Sequence, residues 1–344
     1  MAQRNQDTSN SDDDEWNNAL DNEEKHKSAH RPSQDENPFG DDEEGDTQYR
    51  TMRWWQCSMI MIAETISLGI LSLPSAVAVL GLVPSVILIV GLGITATYTG
   101  YVIGQFKLRY IKVHSMADAG EVMFSRIGWP RFGREFLGTA QLLFLIFIMG
   151  SHILTFTTMM STVTDNGACS IVFGIRPGHG QVDAITTVPL NKAFLAVTNI
   201  VFAYAGHVAF FSFISEMRVP TDYAKTLYLL QVIDTSMYVI AAVVIYIYGG
   251  RGVKSPALSS TSSVTAKVAF GVAIPTIVIA GVINGHVAAK YIYVRIFRDT
   301  NQMQKKSVLS IGSWVGITVV LWVIAWIISE AIPVFNTLLS LITD

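Results

Sequence analysis

Three observations predict an all-α integral membrane fold. Half of the 344 residues are hydrophobic and only 15% are charged, a balance far more apolar than a soluble chain of this length usually shows. Seven stretches are long and apolar enough to cross a bilayer core, which takes about 20 residues as helix. Two of the seven are interrupted near their middles by small and polar residues, AETISLGILSLP at 63–74 and FAYAGH at 202–207. Such a pair of breaks, one early and one past the midpoint, points to a midplane substrate site in a secondary transporter.

Taken in order, the chain opens on a segment that cannot fold alone. Residues 1–50 carry 15 of the 27 acidic residues, including Asp12 to Glu15 and Asp41 to Glu44. With so little apolar surface to bury, this segment is expected to be a disordered acidic tail. It lacks the basic start and short apolar core of a signal peptide, so the first span is expected to act as its own signal anchor. A transmembrane domain is expected over 51–344.

The spans are placed at roughly 55–80, 83–106, 136–160, 191–214, 227–248, 268–289 and 308–330. None has a Lys or Arg in its central part, which suits helices facing lipid or one another. Two shorter runs, ACSIVFGI at 168–175 and IPVFNTLLSLI at 332–342, are too short to cross and are expected as interfacial or re-entrant pieces. The loops after the second and sixth spans, with Arg218 and Lys225, collect thirteen basic residues against five on the opposite side. By the positive-inside rule the richer side and the acidic tail are cytoplasmic, and seven crossings put the C-terminus outside.

Several classes fall away. Two cysteines, Cys57 and Cys169, give no disulfide framework and no metal-ligand spacing. No nucleophile-base-acid set, metal cluster or phosphate loop is present, so an enzyme, a cofactor and a nucleic-acid partner are not expected. A heptahelical receptor needs an external N-terminus, which the charge asymmetry opposes.

Candidate site residues lie at the breaks. Thr65, Ser67 and Gly69 sit where the first span is expected to unwind, ahead of Pro74, and free backbone N–H groups there can bind a carboxylate. The alternative is that Ser67 and Gly69 are small residues for close helix packing. Glu64 is read as the acid well inside a span, where an ionised carboxylate costs about 2.5 to 3.5 kcal/mol on insertion scales, and is therefore a candidate proton carrier. The alternative is an acid that reaches water or pairs with Arg53. In the second break Phe202, Tyr204 and Gly206 offer an aromatic lining with room for backbone approach, or ordinary packing. His207 is a candidate proton shuttle or a hydrogen-bonded structural histidine. His152 and His286 are read as structural, and Asn284 and Thr276 as either cavity-facing or interhelical.

ETISLGILSLP, NIVFAYAGHVAFFSFISEM at 199–217, AIPTIVIAGVINGHVAAKYIYVRIF at 273–297 and WIISEAIPVFNTLLSLI at 326–342 resemble the amino acid/auxin permease family. The likeness is strongest to the fungal neutral amino acid permeases known as N-system transporters. It implies a LeuT-like inverted-repeat bundle in which the first and sixth family helices unwind at the substrate. It also implies a neutral amino acid as substrate, a co-transported proton or sodium ion, and residence in the plasma or vacuolar membrane. The chain departs from the family pattern where counterparts of helices four and five, most of ten and all of eleven are missing, so the expected fold is a partial bundle. Loss of an even number of internal helices keeps the later ones in their proper orientation. A carrier-derived protein that no longer transports is the competing reading.

Overall fold

The computed structural model describes residues 50–164, 181–253, 255–260, 263–297, 300 and 307–331. The acidic tail up to residue 49, Cys169, and the runs 168–175 and 332–342 lie outside the described residues. Nine α-helices are described: α1 Trp54–Leu80, α2 Leu82–Arg109, α3 Met116–Ser125, α4 Pro130–Val163, α5 Leu190–Ala203, α6 His207–Glu216, α7 Tyr223–Gly249, α8 Ser263–Phe297 and α9 Val308–Ala331. No strand is present among them.

Seven candidate membrane crossings result, because α5 and α6 are two halves of one apolar span and α3 is a short helix of ten residues. α3 begins at Ser115, whose hydroxyl caps the Asp118 N–H, and lies against α4, where the Gln141 side chain accepts from the Met116 N–H. α4 starts with Pro130, which has no N–H to leave unsatisfied at a first helical turn.

The second expected break is present and the first is not. α1 runs as one helix through Ser67, Gly69 and Pro74. Pro74 withholds an N–H from the Ile70 carbonyl, and the Ser72 and Ser75 hydroxyls bond back to the Gly69 and Ser72 carbonyls at 3.0 and 2.7 Å. The small residues of α1 let neighbouring backbones approach it rather than opening it.

α1 is the central element. It packs along α7 and against α5 and α8, while α4 packs against α8 and α9. Its buried side divides two apolar cores: Cys57 and Met61 join Met149, Phe210 and Leu230 at one end, and Leu73 and Val77 join Ile89, Tyr238 and Tyr246 at the other. α2 and α9 turn many large apolar side chains outward, as helices facing lipid do.

The ends of the bundle differ in character. At one end the segment before α1 is tied to the end of α6, with the Met52 N–H bonded to the Glu216 carbonyl and the Arg218 N–H bonded to that of Met52. The same end carries the ion pairs Lys290 with Glu216 and Arg295 with Glu135. At the other end residues 183–186 cross the α1–α2 corner. The Leu82 and Val83 N–H groups donate to the Asp183 and Ala184 carbonyls, the Thr186 hydroxyl donates to Val79, and Arg251 holds the Asp183 carboxylate. The Arg251 guanidinium keeps Asp183 below its usual pKa.

Candidate substrate site at the broken helix

α5 ends at Ala203 and α6 begins at His207, leaving Tyr204, Ala205 and Gly206 out of helix in the middle of one apolar span. The carbonyls released by the break find side-chain donors. Tyr238 of α7 places its hydroxyl 2.7 Å from the Ala203 carbonyl and 2.8 Å from that of Thr65, and His207 Nδ1 lies 2.9 Å from the Tyr204 carbonyl. One phenolic proton therefore sits between the broken helix and α1.

Two glycines set how closely these elements meet. A methyl group at Gly69 would lie 2.9 Å from the Ala203 Cα and from the Tyr238 hydroxyl. One at Gly206 would lie 2.7 Å from Thr65 Cγ2 and 2.9 Å from Glu64 Oε2. Each glycine thus admits the other helix's residues, Gly69 the end of α5 and Gly206 the carboxylate of α1.

A pocket of about 290 Å³, its open mouth included, lies at this junction. α1 contributes Glu64, Thr65, Leu68 and Gly69, and the broken segment contributes Phe202, Ala203, Ala205 and Gly206. Ile148 and His152 of α4 and Asn284 of α8 complete the wall. Glu64 Oε2 and Asn284 Oδ1 are buried there without hydrogen-bond partners. Unsatisfied buried acceptors of this kind are costly unless a proton, water or ligand meets them.

Five of the eight residues expected at the site, Glu64, Thr65, Gly69, Phe202 and Gly206, therefore line one pocket. The other three stand behind it. Ser67 bonds His152 Nε2 at 3.0 Å, and because His152 Nδ1 lies 2.9 Å from the Ile148 carbonyl, the neutral ring carries its proton on Nδ1 and accepts from Ser67. Tyr204 sends its hydroxyl to the Ile89 carbonyl at 2.9 Å, toward α2. His207 also faces α2, with Nε2 2.8 Å from the Ala96 carbonyl and 3.0 Å from the Thr99 hydroxyl.

Three residues that sequence reasoning set aside or passed over belong to the same neighbourhood. His152 and Asn284 line the pocket. Asp234 of α7 is the second carboxylate within a span, almost wholly buried, with Oδ2 2.6 Å from the Thr65 hydroxyl. Its signal was available: an aspartate inside an apolar span is a functional candidate by default.

A helical bundle with seven candidate crossings, folded around a pocket at a broken helix, defines a multi-pass integral membrane protein. The profile of the transmembrane amino acid transporter protein family matches residues 50–177 and 170–343. The N amino acid transport system protein of Neurospora crassa is 37% identical over 353 aligned positions, covering 87% of this chain and 74% of that protein. Transmembrane transporters of Fusarium pseudograminearum and Gibberella moniliformis are 28% and 29% identical, each covering 86% of this chain and 72% of the relative. The chain belongs to the transmembrane amino acid transporter family, and amino acid transport is the activity its relatives support.

Proposed function

We propose that the chain carries neutral amino acids across a plasma or vacuolar membrane together with protons, using the pocket between α1 and the α5–α6 break. The observation that carries the reading is the wall of that pocket. It is small and apolar apart from Glu64, Thr65, His152 and Asn284, and among the described residues no lysine or arginine lines it. An acidic substrate side chain would meet no fixed cation there, and a basic one would add a second charge to a site already holding the substrate's own ammonium group. Phe202 and Leu68 suit an apolar side chain. The start of α6, whose first N–H groups have no acceptor within the helix, suits the substrate carboxylate.

Proton coupling is assigned to Glu64, because a buried carboxylate with an unpartnered oxygen is inexpensive only while protonated. His207 is assigned as the second shuttle candidate. An inverted-repeat frame is proposed from the family, with counterparts of its helices four and five absent. Supporting that absence, the alignment to the Neurospora protein spans 353 positions and is longer than this whole chain of 344 residues, so positions of that relative lack counterparts here. The two family matches also meet at residues 170–177. A carrier-derived protein without transport is the second reading, favoured by the same gap.

Competition for uptake into vesicles carrying the purified chain tests the proposal. Phenylalanine and leucine are expected to inhibit more strongly than aspartate or lysine. The reverse order overturns the neutral-substrate assignment, and no uptake of any amino acid selects the non-transporting reading.

A further inference from the structure

Asp234 lies outside both interrupted segments, yet its contacts tie it to them. It is 1% exposed, its Oδ2 lies 2.6 Å from Thr65 Oγ1, and its Oδ1 has no partner. Thr65 Oγ1 is also 2.9 Å from the Met61 carbonyl one turn back in α1. A threonine hydroxyl has one proton to give. If it goes to Met61, the contact at 2.6 Å needs a proton on Asp234. If it goes to Asp234, Oδ2 carries no proton and the Met61 carbonyl loses that bond. The position of one proton thus decides how α1 is bonded beside Glu64.

The titratable groups facing Asp234 are Glu64 from α1, Tyr204 from the α5–α6 break and Tyr238 from its own helix. No described lysine or arginine is ion-paired with it. Two neighbouring carboxylates at this depth repel one another when both are ionised, and burial makes each charge costly. The 2.6 Å contact also leaves no room for a metal ion between Asp234 and Thr65.

We propose that Asp234 is a second proton-binding group of the site, exchanging its proton with the pocket through the Thr65 hydroxyl. Thr65 lines the pocket and Asp234 does not. A proton arriving at Thr65 Oγ1 lets that oxygen pass its own proton to Asp234 Oδ2, and release runs the same path in reverse. Charge and atoms balance with one proton in and one out. Protonation of Asp234 frees the Thr65 hydroxyl for the Met61 carbonyl, so the event is transmitted to the stretch of α1 that carries Glu64. The inference rests on the proton-coupled reading for its role in transport, but not for its chemistry.

The test is infrared difference spectroscopy of the full chain in phospholipid vesicles during a pH titration, following the carbonyl stretch of protonated carboxyl groups. The expected result is two titrating bands, of which Asp234→Asn removes one and Glu64→Gln the other. Asp234→Glu should restore a displaced band, which guards against a folding defect. Thr65→Val should keep the Asp234 band and slow its exchange in heavy water. Two bands surviving in Asp234→Asn, or exchange in Thr65→Val as fast as in the parent, overturns the proposal. So does a band change that requires sodium, checked by substituting choline. Bands that behave as expected in a chain showing no amino acid uptake uphold Asp234 as a proton site and defeat the transport reading alone.

Discussion

At the scale of single residues, the site depends on two absent side chains. A Cβ at Gly206 would press on Thr65 and the Glu64 carboxylate, and one at Gly69 would meet the Ala203 backbone, which cannot swing away. Gly206→Ala and Gly69→Ala are expected to destabilise the purified protein by about 1–3 kcal/mol through overpacking and to abolish uptake. Gly91→Ala, on a helix face with nothing within 4 Å, is the control and should be neutral or stabilising by up to about 1 kcal/mol. Thermal unfolding in detergent checks all three, and a Gly69 variant as stable and active as the control would remove the close-approach argument. A second prediction concerns Glu64→Gln, which imitates the protonated acid. Accumulation driven by an imposed pH gradient should be lost, while exchange of labelled for unlabelled substrate continues at reduced rate. Unaltered pH-driven accumulation would move coupling to His207. These glycines and Glu64 were legible as break residues because small and acidic residues stand out in an apolar span. Asp234 carried the same signal as Glu64, whereas His152 and Asn284 were less legible, since their importance comes from which helices face them.

At the scale of elements, the α5–α6 break is held open by neighbours rather than by its own sequence. The Tyr238 hydroxyl between the Ala203 and Thr65 carbonyls joins α7 to both halves of the site. Tyr238→Phe keeps the ring and its edge-on contact with Tyr204 but deletes that bond. A loss of about 1 kcal/mol is expected from the missing hydrogen bond, with a further penalty for the carbonyl left buried. The measurable outcome is weaker substrate protection against thermal unfolding, with expression close to the parent level. An effect confined to expression would make Tyr238 a packing residue only. The sequence suggested two breaks where the structure opens one. In FAYAGH the Ala203 and Tyr204 carbonyls face the Tyr238 hydroxyl and His207 Nδ1, whereas ETISLGILSLP keeps a helical path through Pro74. Residue patterns alone do not say whether a small residue opens its own helix or admits another. At the far end, the Asp183–Arg251 pair fastens the strap over the α1–α2 corner. Asp183 titrates below its usual range in the folded chain, so the pair's contribution is present above the unfolded pKa and fades as pH falls through the depressed one. Because the pair is exposed, Asp183→Asn should alter thermal stability at neutral pH only slightly.

At the scale of the whole molecule, charge and topology agree in a way that fixes what to measure. Met52, Glu135, Glu216, Arg218, Lys290 and Arg295 are gathered at one end of the bundle, and Asp183 and Arg251 at the other. Apart from Met52, the first set lies in or beside the segments that hold the thirteen counted basic residues, so local sequence and three-dimensional grouping give the same division. The seven spans were legible throughout, because hydropathy reports a solvent and needs no knowledge of packing. Their assembly was not, since the helices that face each other are set by small-residue contacts and interhelical hydrogen bonds. The last prediction follows from the division: the N-terminus is cytoplasmic and the C-terminus lies on the opposite side. Reporter or protease-site tags at each end, with an internal tag between Asp183 and Pro189, distinguish the outcomes. The expected pattern is an inward N-terminal tag with the internal and C-terminal tags outward. An inward internal tag would mean that one of the first three spans does not cross or that 168–175 does. Both termini inward, with the internal tag outward, would instead mean that the run after residue 331 crosses or that one of the last four spans does not.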